Sequence, residues 1–193
     1  EKIIFNSEWS KKQFLKKLDN FYYKSKKLEV IHQSVNKTKI DFKKKKKIIL
    51  FVGKLNSAKG YDIFANAITK ILDKYPEWTA IVIGDEPREK IDLYHKNINN
   101  LGFINHTKVL ETFKISSIAI ACSRWEEPFG RTSLEASSRG CAVIISNRGG
   151  LPETITNGII LKKINKHELF KSIESLILNK KKLKQLQLQS YNN

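Results

Sequence analysis

The sequence predicts an α/β protein built on a Rossmann-like parallel sheet with helices on both faces. Short, continuously apolar runs recur at 48–52, 79–83, 118–122 and 142–146, as expected of parallel strands buried on both sides. Longer segments with apolar residues three and four apart alternate with them. The clearest carries Ile63, Phe64, Ala67, Ile68, Ile71 and Leu72. Right-handed crossovers then bring every strand-to-helix loop to one sheet edge, where such folds bind ligands.

Taken in order, residues 3–5 read as a short strand. Ser7 and Glu8 open a helix that runs through Phe14 and Leu18. Residues 28–32 read as another strand, and 33–47, polar and without apolar periodicity, as a connection. The strand 48–52 and Gly53 lead through a loop into the helix of Ile63–Leu72, which Pro76 stops; the strand 79–83 ends in Gly84. A helix is expected at 91–98, a strand at 101–103 and a helix at 107–113. Then come the strand 118–122, the helix 132–139, the strands 142–146 and 158–161, and helices at 166–178 and 181–189.

A chain of 193 residues can bury on the order of 70% of its unfolded surface. Its 10 Phe, 6 Tyr and 3 Trp argue against disorder. No apolar run reaches the ~18–20 residues of a membrane span, and no signal-peptide pattern opens the chain. Cys122 and Cys141 are too few for a disulfide framework or a four-cysteine zinc site. Together these features predict a reduced, cytoplasmic protein. The chain starts at Glu1 and contains no Met, which predicts a piece of a longer polypeptide. The formal net charge of +17 points to an anionic partner. Of the basic residues only five are Arg, however, and base-reading surfaces favour Arg. The lysines fit a compositional bias better than a nucleic-acid surface, and 43–47 reads as a solvated linker. Peripheral contact with anionic lipid at the inner face of a plasma membrane is the remaining use for such charge, through 180–184.

Several motifs are absent. There is no G-x-G-x-x-G, and the loop from Gly53 to Gly60 lacks Walker spacing. His32, His95, His106 and His167 show no metal-ligand spacing, and no nucleophile elbow is present. Three loops at strand carboxyl ends remain. Lys54 and Lys59, five apart across a turn, can reach one diphosphate or can be two exposed lysines of a Lys-rich chain. In Glu126-Glu127-Pro128-Phe129-Gly130-Arg131-Thr132-Ser133-Leu134-Glu135, Pro128 and Gly130 shape a loop opening a helix, whose free N–H groups favour an anion. A carboxylate at Glu135 suits a ribose diol, since it accepts two hydrogen bonds; a helix-dipole role explains one such Glu equally well. The loop Asn147-Arg148-Gly149-Gly150-Leu151-Pro152-Glu153 reads either as a backbone nest for phosphate or as a plain turn.

As an ordered set these residues resemble the nucleotide-sugar-binding, C-terminal half of a GT-B glycosyltransferase of glycosyltransferase family 4 (glycosyl transferases group 1). The resemblance rests on Phe51-Val52-Gly53-Lys54 with Lys59-Gly60, on Gly102-Phe103-Ile104 with His106, and on Glu127-Pro128-Phe129-Gly130 continuing to Leu134-Glu135-Ala136. The last holds the family's Glu, seven residues, Glu spacing. Gly140-Cys141-Ala142-Val143-Ile144 and Gly149-Gly150-Leu151-Pro152-Glu153 complete it. The set spans roughly 48–160.

The resemblance implies a retaining, metal-independent transfer of a sugar, a hexose, from a nucleotide-diphosphate donor to an unknown acceptor such as a lipid-linked or polysaccharide precursor, with no cofactor. It makes Glu127 the catalytic carboxylate, in contact with the transferred sugar. The donor diphosphate falls to Lys54 and Lys59 beside Gly53, and the ribose to Glu135. Ile104 lies near the base, and the backbone around Phe129, Gly130, Arg131 and Thr132 holds phosphate and sugar. By the same resemblance, 1–34 ends an N-terminal acceptor-binding domain, 35–47 is a Lys-rich linker and 48–193 is the donor domain. The fragment alone is then expected to bind donor without efficient turnover. Two departures stand out: Lys54 replaces the family's usual Arg, and Glu86 interrupts its Gly-Asp-Gly-Pro. Rival readings are another GT-B enzyme, such as a nucleotide-sugar epimerase, and a basic nucleic-acid-binding α/β domain.

Overall fold

The computed structural model describes residues 1–16 and 27–192. Among the described residues two parallel sheets form. The smaller pairs β1 (Ile3–Phe5) with β2 (Leu28–Val30), and α1 (Glu8–Leu15) lies between them in sequence; the expected continuation of that helix to Leu18 falls outside the described residues. The larger sheet has six parallel strands in the order β5-β4-β3-β6-β7-β8. These are β3 (Lys46–Val52), β4 (Thr79–Ile83), β5 (Ile98–Asn100), β6 (Ser116–Ala121), β7 (Ala142–Ser146) and β8 (Ile159–Leu161).

Burial follows position in the sheet. The central strands β6 and β7 are buried almost end to end, whereas the edge strand β5 is mostly exposed. Strand alternation splits the core into two layers. Ile49 and Phe51 of β3 point into one, with Phe64, Ile68 and Ile71 of α2 (Tyr61–Lys74) and Leu169, Ile173 and Leu176 of α5 (Lys166–Leu178). Ile48 and Leu50 point into the other, with Val109 and Phe113 of α3 (His106–Ile115) and Ala136 of α4 (Arg131–Ser138). The last helix, α6 (Lys180–Asn192), packs Leu183 and Leu186 against the first layer. Among the described residues no helix is long and apolar enough to cross a membrane.

Two elements differ from expectation between β4 and α3. No helix forms at 91–98. Ile91 and Leu93 pack on the core while Asp92 and Tyr94 face solvent. A period of two places successive apolar residues on one side of an extended chain, but about 200° apart on a helix. The short strand is 98–100 rather than 101–103, because pairing sets Ile98 opposite Ala80 and Asn100 opposite Val82. Leu101 and Phe103 are left exposed.

The 43–47 run is not a uniformly solvated linker. Residues Phe42–Lys44 form a 3-10 turn capped by Asp41, and Lys46 already belongs to β3. Lys45 turns inward. Its Nζ donates to the carbonyls of Phe113 (2.9 Å), Ser116 (2.7 Å) and Arg139 (2.7 Å). These lie at the C-terminal ends of α3 and α4, where helix dipoles favour a cation. Burial pulls the Lys45 pKa below its usual value, while the nearby Cys141 thiol acts the other way. Removing the ammonium leaves three carbonyls without it, and a bond to a charged group contributes roughly 1.5–3 kcal/mol. We therefore expect Lys45→Met to lower stability by about 2–3 kcal/mol in urea unfolding, with Lys44→Met, exposed next door, nearly neutral.

Candidate functional site

The strand order fixes where a site can form. From β3 the chain builds outward through β4 to β5, returns to β6 on the other side of β3, and then proceeds to β7 and β8. The loops leaving β3 and β6 therefore diverge, opening a crevice at the switch point. A cleft of about 230 Å³ occupies it, lined by Phe51, Val52 and Gly53 from β3, Ile120, Ala121 and Ser123 from β6, and Lys59, Glu127, Gly130, Arg131, Thr132 and Leu151.

The two loops are bonded to each other. The backbone N–H groups of Arg124 and Trp125 both donate to the Ala58 carbonyl, at 2.9 and 3.0 Å. Ser123 Oγ donates to the same carbonyl and Cys122 Sγ to that of Gly60. Desolvation pushes the Cys122 thiol up to about 12, so it stays protonated. Arg124 grips Asp62 of α2 with two bonds of 2.6 and 2.7 Å and holds its carboxyl below the usual range. This zipper sets Lys59 against Glu127, with Nζ 2.5 Å from Oε1.

Behind Glu127 lies the Gly149–Gly150 turn. The Gly150 N–H donates to the Glu127 carbonyl at 2.7 Å, and the Gly149 N–H to the Glu126 carboxylate at 2.5 Å. Both amides are thus taken up internally, and the turn positions the Glu127 loop instead of forming an open phosphate nest. Gly149 sits at φ +58, and a Cβ there would come within 2.1 Å of the Glu127 carbonyl oxygen. Only glycine tolerates both demands.

Helix entries divide by place. α1, α3 and α5 begin on Ser7, Asn105 and Asn165, whose side chains cap them. α4, which opens onto the cleft, begins on Gly130 with no side-chain cap. Its first-turn N–H groups keep their capacity for an anion.

The remaining sequence-derived candidates disperse around this centre. Lys54 is exposed and does not line the cleft. Ile104 is half-buried against the α3 layer, ahead of the exposed Phe103. Phe129 is buried, its ring stacked on His32 at 5.7 Å. Glu135 faces a neighbouring cavity of about 330 Å³, which it shares with His106, Leu110 and Arg139. His106 Nε2 lies 3.1 Å from Glu135 Oε1, and Arg131 Nη2 donates to the same oxygen at 3.3 Å. Arg131 lines both cavities and is the wall between them. Sequence reasoning missed the Arg124–Asp62 pair and Asn56. The Asn56 amide donates to Glu86, and its Oδ1 accepts from the Lys59 N–H.

With this geometry in view, the comparisons decide the family. The profile of the family described as glycosyl transferases group 1 matches residues 32–193. The chain belongs to that family. A curated relative in sequence is the spore coat protein SA of Bacillus subtilis (strain 168), 32% identical over 126 residues, covering 58% of this chain and 33% of that protein. The chain thus spans about a third of the length of that relative. Among solved structures, the C-terminal domain of the glycosyl transferase group 1 protein LpcC from Francisella tularensis superposes with a TM-score of 0.67 at 27% identity, over 77% of this chain and 84% of that one. The Anabaena protein Alr3699/HepE, solved with UDP-glucose, superposes with a TM-score of 0.80 at 20% identity, over 99% of this chain and 58% of that one. These neighbours establish the six-stranded parallel sheet as the C-terminal half of a GT-B fold.

The Glu86 departure within this group 1 chain has a local consequence. Its carboxylate accepts two bonds from Arg88, of 2.7 and 2.9 Å, and one from Asn56. Glu89 meanwhile accepts from the Ser57 N–H. The 84–89 loop therefore braces the loop carrying Lys59. The Arg88 guanidinium holds the Glu86 carboxyl down at about 2. Because this lies below the ordinary value of 4.5, the brace is complete above pH 4.5 and is lost as pH falls through about 2. A carboxyl NMR titration should find Glu86 still ionised at about pH 3, and an Arg88→Ala variant should return its midpoint toward 4.5.

Proposed function

We propose that this chain is the donor-binding part of a glycosyltransferase that takes a sugar, a hexose by resemblance, from a nucleoside diphosphate and delivers it to an acceptor, with retention at the anomeric carbon. The observation carrying this reading is the switch-point cleft. There the Lys59 ammonium, the uncapped start of α4 and the Glu127 carboxylate converge on one small volume.

The chemistry follows from charge. As the bond from sugar to diphosphate breaks, negative charge grows on the leaving phosphate. A lysine and a helix N-terminus fixed beforehand can stabilise it, and no metal is required by this arrangement. Glu127 stands against the same lysine, where it can accept bonds from sugar hydroxyls or stabilise positive charge at the anomeric carbon. On this reading Glu135, across Arg131, takes the ribose, Gly53 lets the diphosphate approach the end of β3, and Lys54 supplies charge at the rim. Phe129 and Thr132 shape the loop, and Ile104 borders the base. Acceptor choice lies with residues beyond this domain. The Anabaena neighbour, solved with UDP-glucose, supplies the probe.

Calorimetry with UDP and UDP-glucose separates the roles. Lys59→Ala should weaken both ligands. Glu135→Ala should also weaken both, by about ten- to a hundredfold, the loss of a bond to a charged group. Glu127→Gln should weaken UDP-glucose alone and leave UDP unchanged or tighter, because Lys59 is released from its pair. Equal losses of UDP in the Glu127 and Glu135 variants would overturn the assignment.

Membrane contact is a second element of the proposal. Lys180, Lys181, Lys182 and Lys184 at the start of α6 are all exposed, and each lysine near an anionic surface contributes ~1 kcal/mol. Co-sedimentation with phosphatidylserine vesicles should exceed that with neutral vesicles at low salt and fall at physiological salt. Equal recovery with both would remove the membrane from the proposal.

A further inference from the structure

One contact set lies outside the cleft and yet touches the loop that forms it. Glu153 belongs to the 3-10 turn Leu151–Thr154 directly after Gly149–Gly150. Its carboxylate caps a helix distant in sequence: Oε2 accepts from the Glu8 N–H at 2.7 Å and Oε1 from the Trp9 N–H at 2.9 Å. A carboxylate at that place also meets the positive end of the α1 dipole. His32 Nε2 lies 3.0 Å from Glu153 Oε2.

The N-cap of that helix, Ser7, is completely buried. Its Oγ accepts from the Ser10 N–H and donates to the Pro128 carbonyl at 2.5 Å, and Ser10 Oγ approaches the same carbonyl at 3.1 Å. Pro128 follows Glu127. The Glu127 carbonyl is held from the sheet side by the Gly150 N–H, and the Pro128 carbonyl from the α1 side by Ser7. The next residue, Phe129, is covered by the His32 ring. Gly150 lies where the pieces meet. A Cβ there would reach 2.5 Å from the Pro128 oxygen and 2.8 Å from Ser7 Oγ, so the close approach of α1 to this loop is built into the sequence.

We infer that Glu153 and Ser7 are positioning residues for Glu127: by capping α1, Glu153 seats Ser7 on the Pro128 carbonyl, and that contact sets the orientation of the Glu127–Phe129 loop toward the cleft. Neither residue lines the cleft, so both act through the loop. Ser7, the first turn of α1 and His32 are on this account a working part of the donor site. The inference rests on the reading of Glu127 as the sugar-facing carboxylate. It predicts selectivity, because Glu127 meets the transferred sugar and the diphosphate is held by Lys59 and α4.

The test uses the 193-residue chain with Glu153→Gln, Ser7→Ala and Ser7→Thr. Gln keeps one acceptor oxygen where two N–H groups need one each. Thr keeps the hydroxyl. Calorimetry should show UDP-glucose weakened about five- to tenfold in E153Q and S7A, with UDP within about twofold of wild type and S7T restoring the wild-type ratio. Equal weakening of both ligands, or no change in the ratio, would overturn the inference. Hydrogen exchange without ligand gives an independent arm. The Gly150 amide, which donates to the Glu127 carbonyl, should exchange faster in E153Q and S7A together with the first turn of α1. A loosened α1 over an unchanged Gly150 amide would reduce Glu153 to a helix cap and overturn the positioning role. If wild type binds neither nucleotide, the donor reading fails, while the exchange result still decides whether α1 holds the loop.

Discussion

The pairing of β3 with β6 is the constraint on which the rest of the molecule depends. The two strands run parallel in the centre of the sheet, with Ile49 opposite Ile118 and Phe51 opposite Ile120. Their outgoing loops must diverge because the chain leaves β3 toward β4 and leaves β6 toward β7. Every residue of the cleft follows from that choice. Had β6 added beyond β5, the loops bearing Lys59 and Glu127 would lie at separate strand ends. The hydrophobic layers on both faces make the pairing rigid, because a slip of one residue would exchange Ile49 and Phe51 with Ile48 and Leu50 between the two layers.

On this frame the polar contacts serve position more than stability. The Lys59–Glu127 pair is part-buried, and the cost of desolvating two charges offsets much of what it contributes to folding. The orientation of Lys59 comes from the backbone bonds to Ala58, from Asn56 and from the brace formed by Glu86 and Glu89. The Glu127 loop is held in the same way: the Gly150 N–H donates to the Glu127 carbonyl, the Gly149 N–H to the Glu126 carboxylate and Ser7 Oγ to the Pro128 carbonyl. A preorganised charge pair of this kind suits a reaction in which charge develops at a known place, since little reorganisation is needed when it does. The Arg131 wall between the cleft and the Glu135 cavity divides the same helix entry between two tasks.

Much of this was legible in the chain. The strands at Thr79–Ile83 and Ala142–Ser146 and the helix at Lys166–Leu178 fall where apolar pattern and caps place them, because those segments carry unambiguous periods. The stretch 91–98 reads as a helix only when the spacing of its two leading apolar residues, Ile91 and Leu93, is ignored. Lys45 escapes a sequence reading because five successive lysines look alike. Only the convergence of two helix C-termini distinguishes the one that is buried.

The sequence by itself determined the parallel α/β class, the family and the identity of the loops that bear charge, since local periodicity and ordered motifs are properties of the chain. Tertiary structure decided which of those charges meet. It brought Lys59 to Glu127 and left Lys54 outside, separated Glu135 from the cleft by Arg131, and closed the Gly149–Gly150 turn onto Glu126 and Glu127. It also carried Glu153 to the start of a helix whose first residues stand 145 and 144 positions away in the chain. The physical reason is that a hydrogen bond is specified by distance and direction in space. Those are set by strand order and loop closure, which no single segment contains.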